Sequence, residues 1–272
     1  MQRSKWLIVC ILIIFVAASI AFAGGCMKGP AQKPGQPGNQ GQATVPPARM
    51  IIGYYENPWP GTPDTSGSFP SMKTFAGHMT HVVPFWYKAT VEGTLESKES
   101  QIVYDTARSL NLKIFPLITY KSGAIDKILG DPAIRTKTID SIVNLVRNKP
   151  YDGVNIDFEL LKPEQEKNLT AFMAELYGKL KPFNKTVTVS VFPKIDVHES
   201  VHGAYNYPEL AKNADFIQVM LYDRRWATSE PGAIAPIGWY EQNLKYAIEQ
   251  AGGPNKVIAG ISAYGYDWPA EG

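Results

Sequence analysis

The sequence predicts an α/β protein, and within that class a (β/α)8 barrel of the TIM type. Short apolar segments rich in β-branched and aromatic residues alternate seven times with segments of helical spacing. This alternation is typical of a parallel sheet covered by helices, either closed into a barrel or open and doubly wound. No glycine-rich phosphate loop follows the first apolar segment, which favours the barrel over the open sheet.

The seven predicted strands share a short, apolar composition that suits a buried parallel sheet. In chain order they cover residues 50–55, 81–87, 112–120, 152–159, 186–192, 215–222 and 256–264. The sequence stops at Gly272, soon after the seventh strand. We therefore expect the eighth strand, and with it the C-terminal part of the barrel, to be missing.

Helices are predicted between these strands from apolar residues that recur every three or four positions. They cover residues 99–110, 132–148, 164–180 and 239–251, with a helical turn at 207–212. The helix at 132–148 has the clearest start, because Asp131 is a suitable N-cap and Pro132 fits the first turn. Its apolar face is formed by Ile139, Ile142, Val143 and Val146.

The first 49 residues are predicted to lie outside the barrel. Residues 1–25 combine Arg3 and Lys5 with an apolar run and small residues near Ala23, as in a secretory signal peptide. The alternative is a lipoprotein signal, with Cys26 lipidated and the chain tethered to a membrane. Residues 26–49 are rich in Gly, Pro and Gln, which indicates a flexible linker. We expect a secreted or cell-envelope protein, either free or lipid-anchored.

The composition of the chain limits the classes of partner that the domain at residues 50–272 is expected to bind. The formal net charge is +2, so no nucleic-acid surface is indicated. The two cysteines are Cys10, inside the signal, and Cys26, so the mature chain is expected to form no internal disulfide. We expect a monomer that needs neither a cofactor nor a metal ion.

The most informative stretch is residues 152–159, with the sequence DGVNIDFE. In a strand, successive side chains point to opposite faces. One face would carry Val154, Ile156 and Phe158, and the other Asn155, Asp157 and Glu159. Burial raises the pKa of a carboxyl group, and a nearby carboxylate raises it further. The Asp157 and Glu159 pair is therefore predicted to hold a proton near neutral pH, as a general acid requires.

Acidic and aromatic residues also follow other predicted strands, at the end where barrel active sites lie. They are Tyr54, Trp86, Tyr222, Asp223 and Trp268. Acids surrounded by aromatic rings suit a sugar, because pyranose faces stack on aromatic rings while carboxyl groups act on the glycosidic oxygen. For any single aromatic residue, packing in the core is the competing interpretation.

Residues 152–159 resemble the signature of glycoside hydrolase family 18, Asp-Gly-x-Asp-x-Asp-x-Glu. Two later segments resemble that family in the expected order, MLYD at residues 220–223 and GISAYGYDW at residues 260–268. Residues 84–87, 202–207 and 235–239 resemble in particular the spore and cell-wall branch related to cortex-lytic N-acetylglucosaminidases. The resemblance covers essentially all of residues 50–272.

This resemblance implies a retaining hydrolase of β-1,4-linked N-acetylglucosamine polymers, either peptidoglycan or chitin, that works by substrate assistance. It implies that Glu159 protonates the leaving oxygen, Asp157 holds the substrate's acetamido group, and Tyr222 donates a hydrogen bond to that group. The residues it suggests for substrate binding are Asn155, Tyr54, Trp86, Met220, Asp223 and Trp268.

Two departures from the family pattern matter for this expectation. Asn155 stands where the signature has a middle Asp, and an amide cannot take up a proton, so we expect an altered pH dependence. Residues 118–123 lack the Ser-x-Gly-Gly segment of chitinases, which weakens the case for chitin as substrate.

Two other functions compete with hydrolysis. The sequence from His198 to His202 matches the zinc-protease motif His-Glu-x-x-His, which requires a helix, whereas residues 192–197 before it are predicted to be a loop and Gly203 follows it directly. The second alternative is a non-catalytic, lectin-like barrel that binds wall polysaccharide, since fold alone does not give function. The presence of both Glu159 and Asp157 favours catalysis.

Overall fold

The computed structural model describes residues 49–268. The predicted signal at residues 1–25 and residues 26–48 of the predicted linker lie outside this range, and those interpretations stay predictions. The first half of the described chain contains β1 (Ile52–Tyr55), α1 (Phe69–Phe75), β2 (His81–Pro84), β3 (Tyr87–Ala89), β4 (Leu95–Ser97), α2 (Gln101–Ser109), β5 (Lys113–Ile114), β6 (Leu117–Tyr120), α3 (Ile125–Gly130) and α4 (Pro132–Asn148).

The second half contains β7 (Gly153–Ile156), α5 (Glu166–Leu180), β8 (Thr186–Val191), α6 (Glu199–His202), α7 (Tyr207–Lys212), β9 (Phe216–Val219), α8 (Ile237–Gln250) and β10 (Val257–Ala259). Each predicted helix is present within a few residues of its predicted bounds. Within residues 49–268, no helix combines the length and the apolar character that crossing a bilayer requires.

The strands form two sheets, ordered β1-β2-β5 and β10-β9-β8-β7-β6-β3-β4. Every pairing is parallel except that of β3 with β4. The second and third predicted strands are each divided in two. The second predicted strand corresponds to β2 and β3, and the third corresponds to β5 and β6. Since β2 pairs with β5 and β3 with β6, seven parallel strands follow one another in chain order, as in the predicted barrel.

The predicted N-cap of α4 is confirmed. The Asp131 side chain accepts hydrogen bonds from the backbone N–H groups of Ala133 and Ile134, at 2.9 and 3.3 Å. These bonds satisfy two of the donors that the start of a helix leaves free, and such a cap contributes about 1 kcal/mol to stability. The predicted apolar face, with Ile139, Ile142 and Val146 fully buried, packs against the core.

One predicted local structure is corrected. The acidic strand ends at Ile156, so Asp157 and Glu159 lie in the loop after β7 rather than within the strand. The predicted loop at residues 192–197 is confirmed. The segment from Glu199 to His202 that follows it is a one-turn helix, and His198 is its N-cap, accepting from the Ser200 N–H through Nδ1 at 3.2 Å. Since His198 precedes the helix with an extended backbone, this motif does not have the zinc-protease arrangement of two imidazoles on one helical face.

Gly153, the first residue of β7, lets two neighbouring elements approach closely. A Cβ at this position would lie 2.3 Å from the carbonyl oxygen of Thr186 and 2.9 Å from the Phe115 ring. We expect Gly153→Ala to destabilise the fold by about 1–3 kcal/mol or more, because backbone must move to accommodate it. Denaturant unfolding measures the change.

Gly178, in the last turn of α5, provides the matched control. A Cβ there meets no atom within 4 Å. Gly178→Ala should therefore be neutral or stabilising by up to about 1 kcal/mol, since alanine is the better helix former. Equal unfolding midpoints for Gly153→Ala and the wild type would show that the close approach at β7 has been overstated.

Candidate active site

A cavity of about 240 Å³ opens where β7, β8, β9 and β10 end. It is lined by Glu159, Phe192, Met220, Tyr222, Asp223 and Tyr264. All six residues follow the carboxyl ends of parallel strands, which is where barrel proteins place their active sites. Of the predicted site residues, the structure therefore brings Glu159, Met220, Tyr222 and Asp223 to one cavity.

The acid pair begins directly after β7. Asp157 is only 7% exposed, and burial raises its pKa, although hydrogen bonding to Ser190 and Glu159 opposes this shift. Burial also raises the pKa of Glu159 to about 7, and the charges of Asp157 and, more weakly, Asp223 act in the same direction. The pair can therefore hold a proton near neutral pH, at the edge of a cavity that a substrate can enter.

The loop that carries this pair is fixed by two tyrosines from neighbouring elements. The Tyr120 hydroxyl donates to the backbone carbonyl of Glu159 at 2.6 Å, and the Tyr205 hydroxyl donates to that of Phe158 at 2.7 Å. The next residue, Leu160, has a φ of 52°, which is unusual for a residue other than glycine. Because the backbone carbonyls of Phe158 and Glu159 are both held, the Glu159 carboxyl group has a defined starting position.

Asn155 lies below the acid pair and is fully buried on β7. Its amide nitrogen donates to the Thr188 hydroxyl at 2.9 Å, and its amide oxygen accepts from the Ser190 hydroxyl at 3.3 Å. Ser190, on the adjacent strand β8, is also near enough to Asp157 to lower its pKa. Ser190 thus connects Asn155 with Asp157, and Asn155 can orient this connection but cannot accept a proton from it.

Two tyrosine hydroxyls complete the polar centre. The Tyr54 ring is 36% exposed, but its hydroxyl end is buried. This burial and the charge of Asp157 raise its pKa well above the ordinary value, while hydrogen bonds to Ser190 and Gln218 lower it. Burial together with the charges of Asp157 and Glu159 also raises the pKa of Tyr222. Both hydroxyls therefore stay protonated and able to donate hydrogen bonds near the acid pair.

One wall of the cavity is a chain of aromatic rings after β10. Tyr222 contacts Tyr264, Tyr264 contacts Tyr266, and Tyr266 contacts Trp268, with ring centroids 5.7 to 6.1 Å apart. Asp223 ties this wall to β9, because its Oδ1 accepts from the hydroxyls of Tyr264 and Tyr266 at 2.8 and 3.1 Å. Tyr222 and Tyr264 line the cavity itself, whereas Trp268, a predicted binding residue, lies at the far end of this chain of rings.

Trp86 lies elsewhere, and its predicted place in the substrate site is corrected. Its indole is only 1% exposed and packs against Tyr151 in the core, with centroids 6.2 Å apart. The preceding residue, Phe85, is 41% exposed and contacts the Tyr54 ring at 5.9 Å. Neighbouring residues of an extended chain point in opposite directions, so only one of these two rings can face outward.

Several site residues were not predicted as such. Phe192 lines the cavity, while Ser190 and Gln218 contact the polar centre from β8 and β9. In the sequence, each of these residues lies near the end of a strand, at or close to a polar residue in an otherwise apolar segment. That signal alone does not separate them from residues that pack in the barrel.

Comparison with known proteins agrees with this geometry. The sequence profile described as glycosyl hydrolases family 18 matches residues 50–272. The chain belongs to glycoside hydrolase family 18. This membership, together with the order of the seven strands, confirms the predicted (β/α)8 barrel class.

Its relatives include bacterial glycosidases. The uncharacterized glycosylase YvbX of Bacillus subtilis is 28% identical over 81% of this chain and 65% of that protein. The cortical fragment-lytic enzyme of Bacillus anthracis is 27% identical over 70% of this chain and 46% of the enzyme. Among solved structures, a class V chitinase from Pseudomonas fluorescens is 26% identical, with a TM-score of 0.71 over 81% of this chain and 70% of the chitinase. The chain thus spans about half to two thirds of the length of these curated relatives.

Proposed function

We propose that this family 18 protein is an exported glycosidase that cleaves a β-1,4-linked polymer containing N-acetylglucosamine, either peptidoglycan or chitin. The observation that carries the proposal is the Glu159 carboxyl group, which lines an open cavity and has a pKa raised to about 7 beside buried Asp157. The family and the names of these relatives support the same chemistry.

In the proposed mechanism the substrate supplies its own nucleophile. Glu159 gives its proton to the glycosidic oxygen as the bond from this oxygen to the anomeric carbon breaks. The carbonyl oxygen of the substrate's acetamido group forms a bond to the same carbon, which gives an oxazolinium ion. A water molecule then opens this ring and transfers a proton to Glu159, so the configuration is retained.

The other residues of the polar centre position this reaction. Asp157 holds the acetamido N–H and offsets the positive charge of the ring, and Tyr222 donates a hydrogen bond to the acetamido group. Since the nucleophile is already attached to the substrate, orientation and charge stabilisation are the protein's main contributions. Tyr54, Met220, Asp223 and Trp268 are proposed to bind sugar around this centre, and Asn155 to orient Asp157 through Ser190.

The location of the protein is part of the proposal. Residues 1–25 support export, and Cys26 supports the alternative of a lipid anchor at the cell envelope. We propose that the protein acts as a monomer, because the site is formed within one chain.

The pH dependence of turnover tests the role of Glu159. A general acid must be protonated, and the protonated fraction falls as pH rises through its pKa of about 7. We expect kcat/KM to decrease tenfold per pH unit well above this value, with the half-maximal point on the alkaline side near pH 7. Rates measured from about pH 5 to about pH 9 give this profile, and a constant rate across neutral pH would contradict the assignment.

Product analysis tests the function as a whole. The purified protein is incubated with bacterial peptidoglycan and with chito-oligosaccharides, and the products are identified by mass spectrometry. Fragments with new reducing N-acetylglucosamine ends are expected for the wild type but not for Glu159→Gln. Binding of either glycan without cleavage would instead indicate a lectin-like envelope protein.

A further inference from the structure

The loop between β9 and α8, residues 223–236, lies at the edge of the cavity; we call it the rim loop. Its first residue, Asp223, lines the cavity and turns the chain with a φ of 58°. The backbone N–H of Arg224 then donates to the carbonyl of Ile234 at 2.8 Å, which closes the base of the loop. The Arg224 guanidinium contacts the Asp196 carboxylate at 2.6 Å and ties the loop to the segment after β8. The rim loop is therefore an ordered segment that starts at the cavity, with Asp223, and is held at its base.

At its tip, this loop presents a tryptophan to solvent. Trp226 is 50% exposed, although a large apolar side chain gains free energy from burial. Its orientation is fixed, because its backbone N–H donates to the Ser229 hydroxyl at 3.0 Å and its indole N–H donates to the Thr228 hydroxyl at 2.9 Å. This ring is held outward three residues after Asp223, which lines the cavity, and a flat exposed ring is suited to stacking on a pyranose face.

Arg225 precedes this ring and differs from the other cations near the strand ends. Lys121, Lys162 and Arg224 contact carboxylates at 2.6 to 2.8 Å, and Lys194 donates to the carbonyl of His202 at 3.2 Å. Within residues 49–268, no carboxylate lies within 4.0 Å of the Arg225 guanidinium. The stem of Arg225 packs on Gly232, where a Cβ would lie 3.1 Å from its Cγ. Gly232 thus leaves space for this arginine, whose charge remains available to a ligand.

The negative charge of the cavity determines how the Arg225 guanidinium would affect the choice of substrate. Asp157, Glu159 and Asp223 make the centre acidic, so a glycan that carries carboxylates meets repulsion there, whereas a neutral glycan does not. A guanidinium at the border offsets that repulsion and can bind a carboxylate with two parallel hydrogen bonds.

We propose that Arg225 and Trp226 form a specificity subsite for an anionic glycan, with Trp226 stacking on a sugar ring and Arg225 pairing with a carboxylate attached to that sugar or its neighbour. This inference rests on the proposed function and narrows it. Peptidoglycan carries peptide carboxylates, and lactyl carboxylates on sugars that have no peptide, whereas chitin has neither, so peptidoglycan fragments are the favoured substrate class.

Three variants separate charge from stacking. Arg225→Gln is expected to lower kcat/KM about tenfold on soluble peptidoglycan fragments, and less than about twofold on chito-oligosaccharides. Trp226→Ala is expected to lower kcat/KM on both substrates, because stacking does not need a charge. Lys245→Gln, which removes an exposed cation from α8, is the matched control and should change neither rate. Added salt should reduce the preference of the wild type for the anionic substrate but not that of Arg225→Gln.

Binding measurements keep this test independent of turnover. The affinities of both glycans are compared between Glu159→Gln and the double variant that also carries Arg225→Gln. Weaker binding of the anionic glycan alone supports the subsite, even if the wild type cleaves neither glycan and the proposed function fails. Equal losses on the two glycans, or no loss on either, would overturn the subsite while leaving the proposed function intact.

Discussion

Glu159→Gln is expected to lower kcat by roughly 10²- to 10⁴-fold, the range that general acid catalysis contributes. The amide keeps the size and hydrogen-bonding capacity of the side chain but has no acidic proton to give to the leaving oxygen. Because Glu159 is only one of six residues that line the cavity, the affinity for an oligosaccharide should remain within a few-fold of the wild type. Turnover is measured by release of reducing ends, and affinity by calorimetry on the same substrate.

The matched control is Glu241→Gln, which makes the same chemical change on the exposed face of α8, away from the cavity. It should turn over substrate at the wild-type rate. If Glu159→Gln were as active as this control, Glu159 could not be the proton donor, and the mechanism would fail. If instead both proteins bound glycan and neither cleaved it, a lectin-like function would account for the barrel.

The fold was predictable because each strand and helix has a local sequence pattern. Strands β7, β8 and β9 come from short, mostly apolar segments that are almost wholly buried, and the sequence of α4 contains both its N-cap Asp131 and the apolar residues of its buried face. The interruptions of the strands were not predictable in the same way. The second predicted strand bends at Phe85 and Trp86. This bend allows β2 to pair with β5 and β3 to pair with β6, the two parts of the third predicted strand. Such pairing depends on distant residues and leaves no local pattern.

Some residues of the candidate site were likewise predictable from the sequence, and others were not. The sequence predicted Asp157, Glu159 and Tyr222, because polar side chains at the carboxyl ends of buried strands indicate a functional site. The structure places these three residues together. Trp86 was misplaced because its position at a strand end does not tell which side of the chain faces the cavity. Ser190 was not predicted, since a serine in a strand has no distinctive sequence pattern, and only the parallel register of β7 and β8 brings it beside Asn155 and Asp157.

The position of Asn155 in this register limits where the proton of the Asp157 and Glu159 pair can move. Its amide is occupied on both sides, by Thr188 and Ser190, and it cannot accept a proton. A proton that is shared between Asp157 and Glu159 therefore has no further carboxylate on β7 to move to. The state of Glu159 then depends on Asp157 more directly than in the family signature, where a third acid lies at this position.

Asp157→Asn is accordingly expected to change both the rate and its pH dependence. The rate should fall by about 10²-fold or more, because the variant loses the carboxylate that offsets the charge of the oxazolinium ion. The pKa of Glu159 should also fall from about 7 toward its ordinary range, since the charge of Asp157 is one of the causes that raise it, although burial remains. The alkaline half-maximal point of the residual activity should therefore move to lower pH, and a rate profile of this variant measures that shift.

A substrate that lacks the N-acetyl group separates the two roles of Asp157. If the acetamido group is the nucleophile, the wild type should cleave the deacetylated glycan far more slowly than the acetylated one, and Asp157→Asn should show little further loss on it. Equal wild-type rates on the two glycans would rule out substrate assistance. A loss of similar size on both glycans in Asp157→Asn, with the alkaline limb moved to lower pH, would mean that Asp157 acts through the protonation of Glu159 and does not hold the acetamido group.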